Sequence, residues 1–426
     1  HDRLKAQIMF PSLVPLIGWL IPGLYLTFST ALGLSNVFML LILIAFALTF
    51  SKDAVASERW PLPAVWLLAL YAMVLLGMLY TPAPWEWSSL NWGKYTKFIY
   101  AIVLMLLLFK RPDWQRRSLM AFELGMLFIL VSTWLNIWFV LPWSATKQTG
   151  WGVPHHVMYD HIVQNVMMGF FVTFALSKVS RGASSVSNFY YFAIAVLALI
   201  SVTHLSTGRT GLIVVAGAVG GFLLARIGIR KALLSLPVAL IGLGALLMTS
   251  DVMLSRFKQA TTELQNIDND RYSSIGHRAY NYKITPRLIA EKPVFGHGTG
   301  AYHTEICRVL DDPNDCHIYA WHSHNQFLYF GADYGLVGIA IYIALIGSAA
   351  RIAWTSPVGA HRLMLLSLVG ALVADSLINS PLYSARESHF FLYMLALLVV
   401  MCRDSMLNQA SDRLPSAEAN RTATPR

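Results

Sequence analysis

Charge is scarce in this sequence: Asp, Glu, Lys and Arg together supply 13% of its 426 residues, against about 25% in soluble domains. Length alone suggests roughly three soluble domains at ~150 residues each. A soluble chain so poor in charge could not cover its own surface, so that arrangement is excluded. Disorder and coiled coil are excluded with it, because both demand polar, charge-rich composition. Cysteine is scarce as well, three in all, which rules out a disulfide-rich scaffold. Ten-residue stretches of alternating polarity are lacking, which argues against barrel strands. What is present is apolar residue, 56% of the chain, with a mean hydropathy of +0.54. The composition is that of an all-α, polytopic membrane protein.

Twelve apolar runs are long enough to read as spans: about 8–30, 34–50, 63–80, 95–109, 118–141, 161–178, 189–205, 211–226, 233–250, 324–350, 363–379 and 388–402. The stretch 189–225 would reach ~55 Å as one helix, so it turns within Thr203–Gly211. Gly217 and Gly221 follow at the small-xxx-small spacing that favours close helix packing. Orientation follows from Lys and Arg. With a cytoplasmic N-terminus, nineteen of the 32 basic residues fall inside, among them Arg3, Lys5, Lys52, Arg59, Lys110, Arg111, Arg116 and Arg117. The short outside loops then hold Lys94, Lys97, Lys147, Arg209 and Arg386. Both termini are expected in the cytoplasm, and the first span is expected to serve as its own insertion signal, without a cleavable signal peptide. The net charge of +10 is mostly this topology signal. No basic stripe sits on a soluble domain, so no nucleic-acid partner is implied.

One segment interrupts the pattern. The expected organisation is spans one to nine over 1–250, a large outside loop over 251–323, spans ten to twelve over 324–403, and a cytoplasmic tail without fixed structure over 404–426. The loop carries enough Tyr, Phe and Trp to fold, and Arg278–Glu291 reads as an amphipathic helix ended by Pro293 and a Gly-rich turn at 296–300. Cys307 and Cys316 both fall in this loop, and an oxidising compartment favours their pairing over two free thiols. Smaller outside loops at 81–94 and 142–160 carry Trp residues suited to an interfacial belt. Mid-span charge is scarce, with Glu123 and Asp375 the candidates. Neither fixed-period repeats nor inverted-repeat symmetry of the transporter kind is visible.

Four groups of residues could carry chemistry. Arg209 lies in Ser206-Thr207-Gly208-Arg209-Thr210-Gly211, where guanidinium could grip a phosphate beside glycine-exposed backbone. The plainer reading is an interfacial, snorkelling Arg. Arg271, His277, Arg278, Lys283 and Arg287 form an outside basic cluster, either a solvated face or an anion site, with Arg278 at the start of its helix. His322-Ser323-His324-Asn325 offers a general base near neutral pH, a polar helix cap, or, with His317 and Cys316, metal ligands in a spacing that matches no closed zinc pattern. Lys94 and Lys97 sit where a lipid-linked phosphate would lie, or where a headgroup would anchor the chain.

Taken together, Arg278, Pro293-Val294-Phe295-Gly296-His297-Gly298, His322-Ser323-His324-Asn325-Gln326-Phe327-Leu328 and Gly335-Leu336-Val337-Gly338 resemble the O-antigen ligase and polymerase superfamily. The match covers about 200–345, and elsewhere it rests on span count and topology. The resemblance implies a glycosyltransferase-C-like fold in the bacterial inner membrane, with its active site facing the periplasm. It implies transfer of glycan without metal or other cofactor. The donor would be an undecaprenyl-diphosphate-linked O-antigen and, in a ligase, the acceptor would be lipid A-core, both handled among membrane lipids. By motif position the catalytic residues would be Arg209, Arg278 and His324. Lys94, Lys97, His322, Asn325, Arg287 and the aromatic Tyr280 (or Tyr282) would bind substrate. Two arginines can hold a diphosphate leaving group where no metal does, and His324 can take the acceptor proton. The rivals are an O-antigen polymerase, a protein O-oligosaccharyltransferase and, from another class, a transporter.

Overall fold

The computed structural model describes residues 13–49, 60–158, 160–267 and 270–422, with side chains through residue 411. Arg3, Lys5, Lys52, Arg59 and Arg426 lie outside the described residues. All regular elements among the described residues are helical. In chain order they are α1 (Val14–Thr27), α2 (Leu32–Thr49), α3 (Leu62–Tyr80), α4 (Trp85–Tyr95), α5 (Lys97–Leu108), α6 (Pro112–Leu135), α7 (His161–Lys178), α8 (Ser185–His204) and α9 (Arg209–Leu247). The loop helices α10 (Asp251–Gln265), α11 (Ser274–Glu291), α12 (Tyr302–Val309) and α13 (Cys316–Tyr319) follow, then α14 (Gln326–Thr355), α15 (Ala360–Ile378) and α16 (Ala385–Thr422).

Among the described residues, eight helices are long and apolar enough to cross a membrane: α2, α3, α6, α8, α9, α14, α15 and α16. The polytopic, all-α character read from composition is therefore present. The difference from twelve has physical causes. Helices α1 and α5 have 14 and 12 residues, and α7 interleaves Gln164, Asn165 and Lys178 with its apolar residues. Helix α9 takes up two expected spans in 39 residues. Straight, it would reach ~58 Å, about twice a ~30 Å hydrocarbon core. It does not run straight, because Gly228 breaks it at φ 75°, between the spans the sequence suggests.

Three boundaries differ from the sequence reading. The expected loop 81–94 contains helix α4, which starts after Pro84 and carries Trp85, Trp87 and Trp92. The loop helix begins at Ser274, with the Ser273 hydroxyl accepting from Gly276 N–H as its cap. Arg278 therefore sits one turn in, not at the helix start. At the far end α16 continues past Arg403 to Thr422. There the Asp404 carboxylate accepts from Lys110 N–H (3.0 Å) and Gln115 Nε2 (2.6 Å).

Packing is closest between α9 and α15. A β-carbon at Gly217 or Gly221 would collide with the backbone carbonyls of Gly370 and Leu366, so the small-residue spacing does set helix approach. The loop folds as expected for its aromatic content: Tyr280, Tyr302 and Tyr319 are buried, and a Cys307–Cys316 disulfide ties α12 to α13.

The feature that fixes the loop on the bundle is a break in α14. Gly335 adopts φ 65°, a left-handed conformation that glycine reaches without steric cost. The break frees the carbonyls of Ala332 and Asp333, which accept from His297 N–H (2.9 Å) and Gly298 N–H (2.8 Å). It also frees the N–H groups of Leu336 and Val337, which donate to Pro293 (2.7 Å) and Val294 (3.2 Å). Residues 293–298 thus replace the missing helical bonds one for one. The buried Asp333 carboxylate completes the clasp by accepting from Gly300 N–H (3.0 Å) and Tyr302 N–H (2.8 Å). A β-carbon at Gly335 would collide with Val294 on top of the strained φ, so Gly335→Ala should cost about 1–3 kcal/mol or more. Thermal melting of the detergent-purified variant checks this: a lowered midpoint is expected, and an unchanged one contradicts the clasp.

Candidate active site

The chain approaches α14 through a tight turn. The Asn325 side chain caps the helix by accepting from Leu328 N–H (3.0 Å), and its amide N–H2 donates to the Tyr282 hydroxyl (2.8 Å). Asn325 is thereby occupied in holding the turn. Ser323 Oγ donates to Asn325 O (2.7 Å), and His324 N–H donates to His322 Nδ1 (3.2 Å). These bonds hold His324 at φ 51°, one of two non-glycine positive φ values among the described residues. Such a conformation costs on the order of 1–3 kcal/mol and persists only where the surroundings enforce it. It presents the imidazole to a crowded polar cluster. The His324 ring centroid lies 4.1 Å from that of His322 and 4.8 Å from that of His277. Its Nδ1 is buried without a hydrogen-bond partner.

Arg278 stands beside these rings. Its Nε donates to Ile378 O (3.1 Å) at the end of α15, and Nη1 donates to Ser274 O (3.0 Å) and Oγ (2.6 Å). A cation on a helix C-terminus is favourable, yet every one of these acceptors is neutral. Arg209 is the first residue of α9, behind Gly208. Its Nη2 pairs with Glu263 of α10 at 3.1 Å, while Nη1 is buried without a partner. The same Glu263 oxygen accepts from Ile275 N–H (3.1 Å), tying α10 and α11 to Arg209. The glycines around Arg209 have a different duty from the one the sequence suggests. A β-carbon at Gly208 or Gly211 would collide with Asn165, so they admit α7 and do not open backbone to an anion.

Burial pushes the pKa of Arg278 below the usual guanidinium value, and Arg209 nearby pushes the same way. His322 is held down to about 3 and His277 to about 4, burial first and neighbouring positive charge second. His324 lies well below the ordinary histidine value through burial, His322, Arg278 and His277. The structure therefore brings Arg209, Arg278, His322 and His324 together, with Asp375 and Glu263 as the facing carboxyl groups.

The remaining expected residues divide. Lys94 stands at the site: its Nζ lies 3.4 Å from the Tyr383 ring centroid and 5.1 Å from that of Trp321. It helps line a cavity of about 330 Å³ that also includes His322, Asn379, Arg386 and Glu387. Lys94 also opens onto a groove of about 800 Å³ with a polar end (Lys94, Lys97, Glu86) and an apolar floor (Leu32, Met39, Leu40, Leu43). Lys97 is buried and donates to Lys94 O (3.2 Å). Tyr280 lies in the loop core against Tyr319, its hydroxyl accepting from Asp311 N–H. It is Tyr282 that reaches the site, donating to Leu377 O beside Asn325. Arg287 is held at the surface by Asp311 at 3.1 Å. Of the mid-span candidates, Glu123 pairs with Lys178 at 3.3 Å, whereas Asp375 faces Arg278. Sequence reasoning missed Glu263 and Tyr383, since no spacing rule links residue 263 to 209 or 383 to 94.

Because the folded-state pKa of each of these histidines is lowered, the neutral ring persists as pH falls through the ordinary histidine value near 6.5. With 15N-histidine-labelled protein, the rings of His277, His322 and His324 should remain neutral at pH 5.5. Titration of all three near pH 6.5 would contradict the buried cluster.

Residues 193–343, from within α8 through the loop to the middle of α14, match the O-antigen ligase family. That stretch contains Arg209, Arg278, His322 and His324, and it contains the clasp around Gly335. No curated protein matches the chain. A chain from the solved structure described as "Structural coordination of polymerization and crosslinking by a peptidoglycan synthase complex" superposes with TM-score 0.48 at 18% identity, over 82% of this chain and 98% of that one. That likeness is too loose to argue from. Residues 193–343 thus carry an O-antigen ligase domain match, which supports the resemblance to the O-antigen ligase and polymerase superfamily.

Proposed function

We propose that this protein is an O-antigen ligase that transfers O-polysaccharide from undecaprenyl diphosphate to a sugar hydroxyl of lipid A-core. In this reading it is a glycosyltransferase-C-like enzyme of the bacterial inner membrane. Counting α9 as two spans about Gly228, and α1, α5 and α7 as spans, gives twelve, with both termini cytoplasmic and the loop in the periplasm. The observation that carries the reading is the convergence of Arg209, Arg278 and His324 at one end of the bundle, with buried Nη1 and Nδ1 atoms left unpaired. An unpaired buried polar atom costs about 1–3 kcal/mol, so a ligand that satisfies such atoms is favoured. The Lys94–Lys97 end of the groove suits a lipid-linked phosphate, and its apolar floor suits the chain behind it.

The mechanism follows from charge. The anomeric C–O bond to the diphosphate breaks as the acceptor oxygen bonds to the anomeric carbon, and one negative charge develops on the leaving diphosphate. Arg209 and Arg278, fixed in place, stabilise that charge with no metal required. The acceptor hydroxyl loses its proton to His324, and a single displacement inverts the anomeric configuration. Before the donor arrives, burial first and the neighbouring Arg278 and histidines second keep His324 a weak base. The bound diphosphate offsets Arg278 and raises His324 toward the operating pH, where general-base catalysis is most effective. Donor binding thus switches on the base.

A strain lacking the protein tests the reading through its lipopolysaccharide pattern. Full-length O-antigen should accumulate on its lipid carrier beside bare core. Core capped with single units would instead assign an O-antigen polymerase. The purified protein should transfer glycan undiminished in EDTA, and activity restored only by a divalent ion would overturn the two-arginine account.

A further inference from the structure

A second cavity lies on the loop side of the site and is not used by the mechanism above. It encloses about 610 Å³, within the ~300–1,000 Å³ of small-molecule sites, and is walled by Trp87, His303, Asn314, His317, Trp321 and the Cys307–Cys316 disulfide. Its walls are rigid. Trp87 stacks on His303 with ring centroids 4.2 Å apart. His303 is held by Ala320 O at Nδ1 (2.6 Å) and by Asn91 at Nε2 (3.0 Å). The disulfide ties α12 to α13 across the opposite side. Trp321 is 55% exposed, far more than an indole serving the loop core needs. It also forms the wall shared with the cavity that holds Lys94 and His322, with its ring 6.1 Å from that of Tyr383.

We infer that this cavity is a glycan subsite, with Trp321 and Trp87 as platforms for pyranose rings and Asn314, His317 and Thr304 on the hydroxyl rim. The inference rests on the glycan-transfer reading above and adds to it where the sugar chain is held. A pyranose presents a flat C–H face edged by hydroxyls, and an indole presents a broad apolar face with a polar N–H. A rigid pocket of such side chains binds without a large ordering cost. Trp321 lines both this cavity and the one that holds Lys94 and His322, so the two are adjacent and a sugar next to the reacting unit is within reach of it. The sugars could belong to the donor polysaccharide or to the acceptor core, and the test separates them.

Two probes are used with the full-length, detergent-purified protein: core oligosaccharide freed from lipid A by mild acid, and O-antigen oligosaccharide freed from its carrier. Calorimetry should show one of them binding to wild type at millimolar concentration or below. Trp321→Ala should weaken that binding by about tenfold or more, and Trp321→Phe, which keeps a ring, by less than about threefold. In transfer assays Trp321→Ala should raise KM for the matching substrate by a similar factor while kcat moves by less than about twofold. A raised KM for donor assigns the polysaccharide, and a raised KM for acceptor assigns the core. Asn314→Ala, on the rim, provides a second variant should Trp321→Ala melt early. The inference is overturned if neither oligosaccharide binds wild type, if Trp321→Ala and Asn314→Ala leave both affinity and KM unchanged, or if only kcat falls. Wild-type protein that binds oligosaccharide yet transfers none would overturn the ligase reading and leave the subsite standing.

Discussion

The break of α14 at Gly335 holds the rest of the site in place. A helix that ran on unbroken would satisfy its own backbone and offer the loop nothing to bond. The break exposes two carbonyls and two N–H groups, and residues 293–298 fill all four. The buried Asp333 carboxylate binds the next turn through Gly300 and Tyr302. With that segment seated, α11 lies against α14, Tyr282 reaches Asn325, and Arg278 reaches the carbonyl end of α15. The left-handed turn at His324 is enforced from both sides. The motif residues around 293–298 and 335–338 thus position the candidate site residues rather than join their cluster.

The second organising fact is a concentration of positive charge and imidazole that the nearby carboxyl groups only partly pair. Arg209 shares the Glu263 carboxylate with a backbone N–H, and Arg278 bonds only to neutral oxygens among its described hydrogen bonds. Three histidines in ring contact stay neutral because burial disfavours the charged ring, and neighbouring positive charge adds to that. Such a cluster is destabilising for the empty protein and, in the proposed reading, favourable for one that holds a diphosphate. Stability is set aside at the site and recovered on binding, a pattern common to preorganised catalytic centres.

Much of this was legible in the sequence, for identifiable reasons. Apolar run length reports helices directly, so the membrane class and most helix positions followed from composition. The small-residue spacing at Gly217 and Gly221, the loop disulfide and the Asn325 cap are local or near-local signals. Arg209, Arg278, His322 and His324 could be singled out because charge and imidazole are conspicuous beside so much apolar chain. What failed was long-range. Tyr280 and Tyr282 are two residues apart on one helix, and only the packing of α11 decides which faces the site. Arg287 looked like its neighbour Arg278 until Asp311 was placed beside it. Glu263 and Tyr383 had no motif to announce them. The glycines flanking Arg209 were read as an anion cradle because nothing in the sequence places Asn165 against them.

The central claim is a division of labour in which the arginines hold the diphosphate and His324 acts only as the acceptor proton leaves. It is tested most directly by measuring donor affinity and transfer rate on the same folded, membrane-inserted variants. His324→Ala should keep lipid-linked donor affinity near wild type while turnover falls by roughly 10²–10⁴. Arg209→Ala and Arg278→Ala should lose donor affinity. His324→Ala protein that transfers at near the wild-type rate, or that loses donor affinity as severely as Arg209→Ala, would contradict the account.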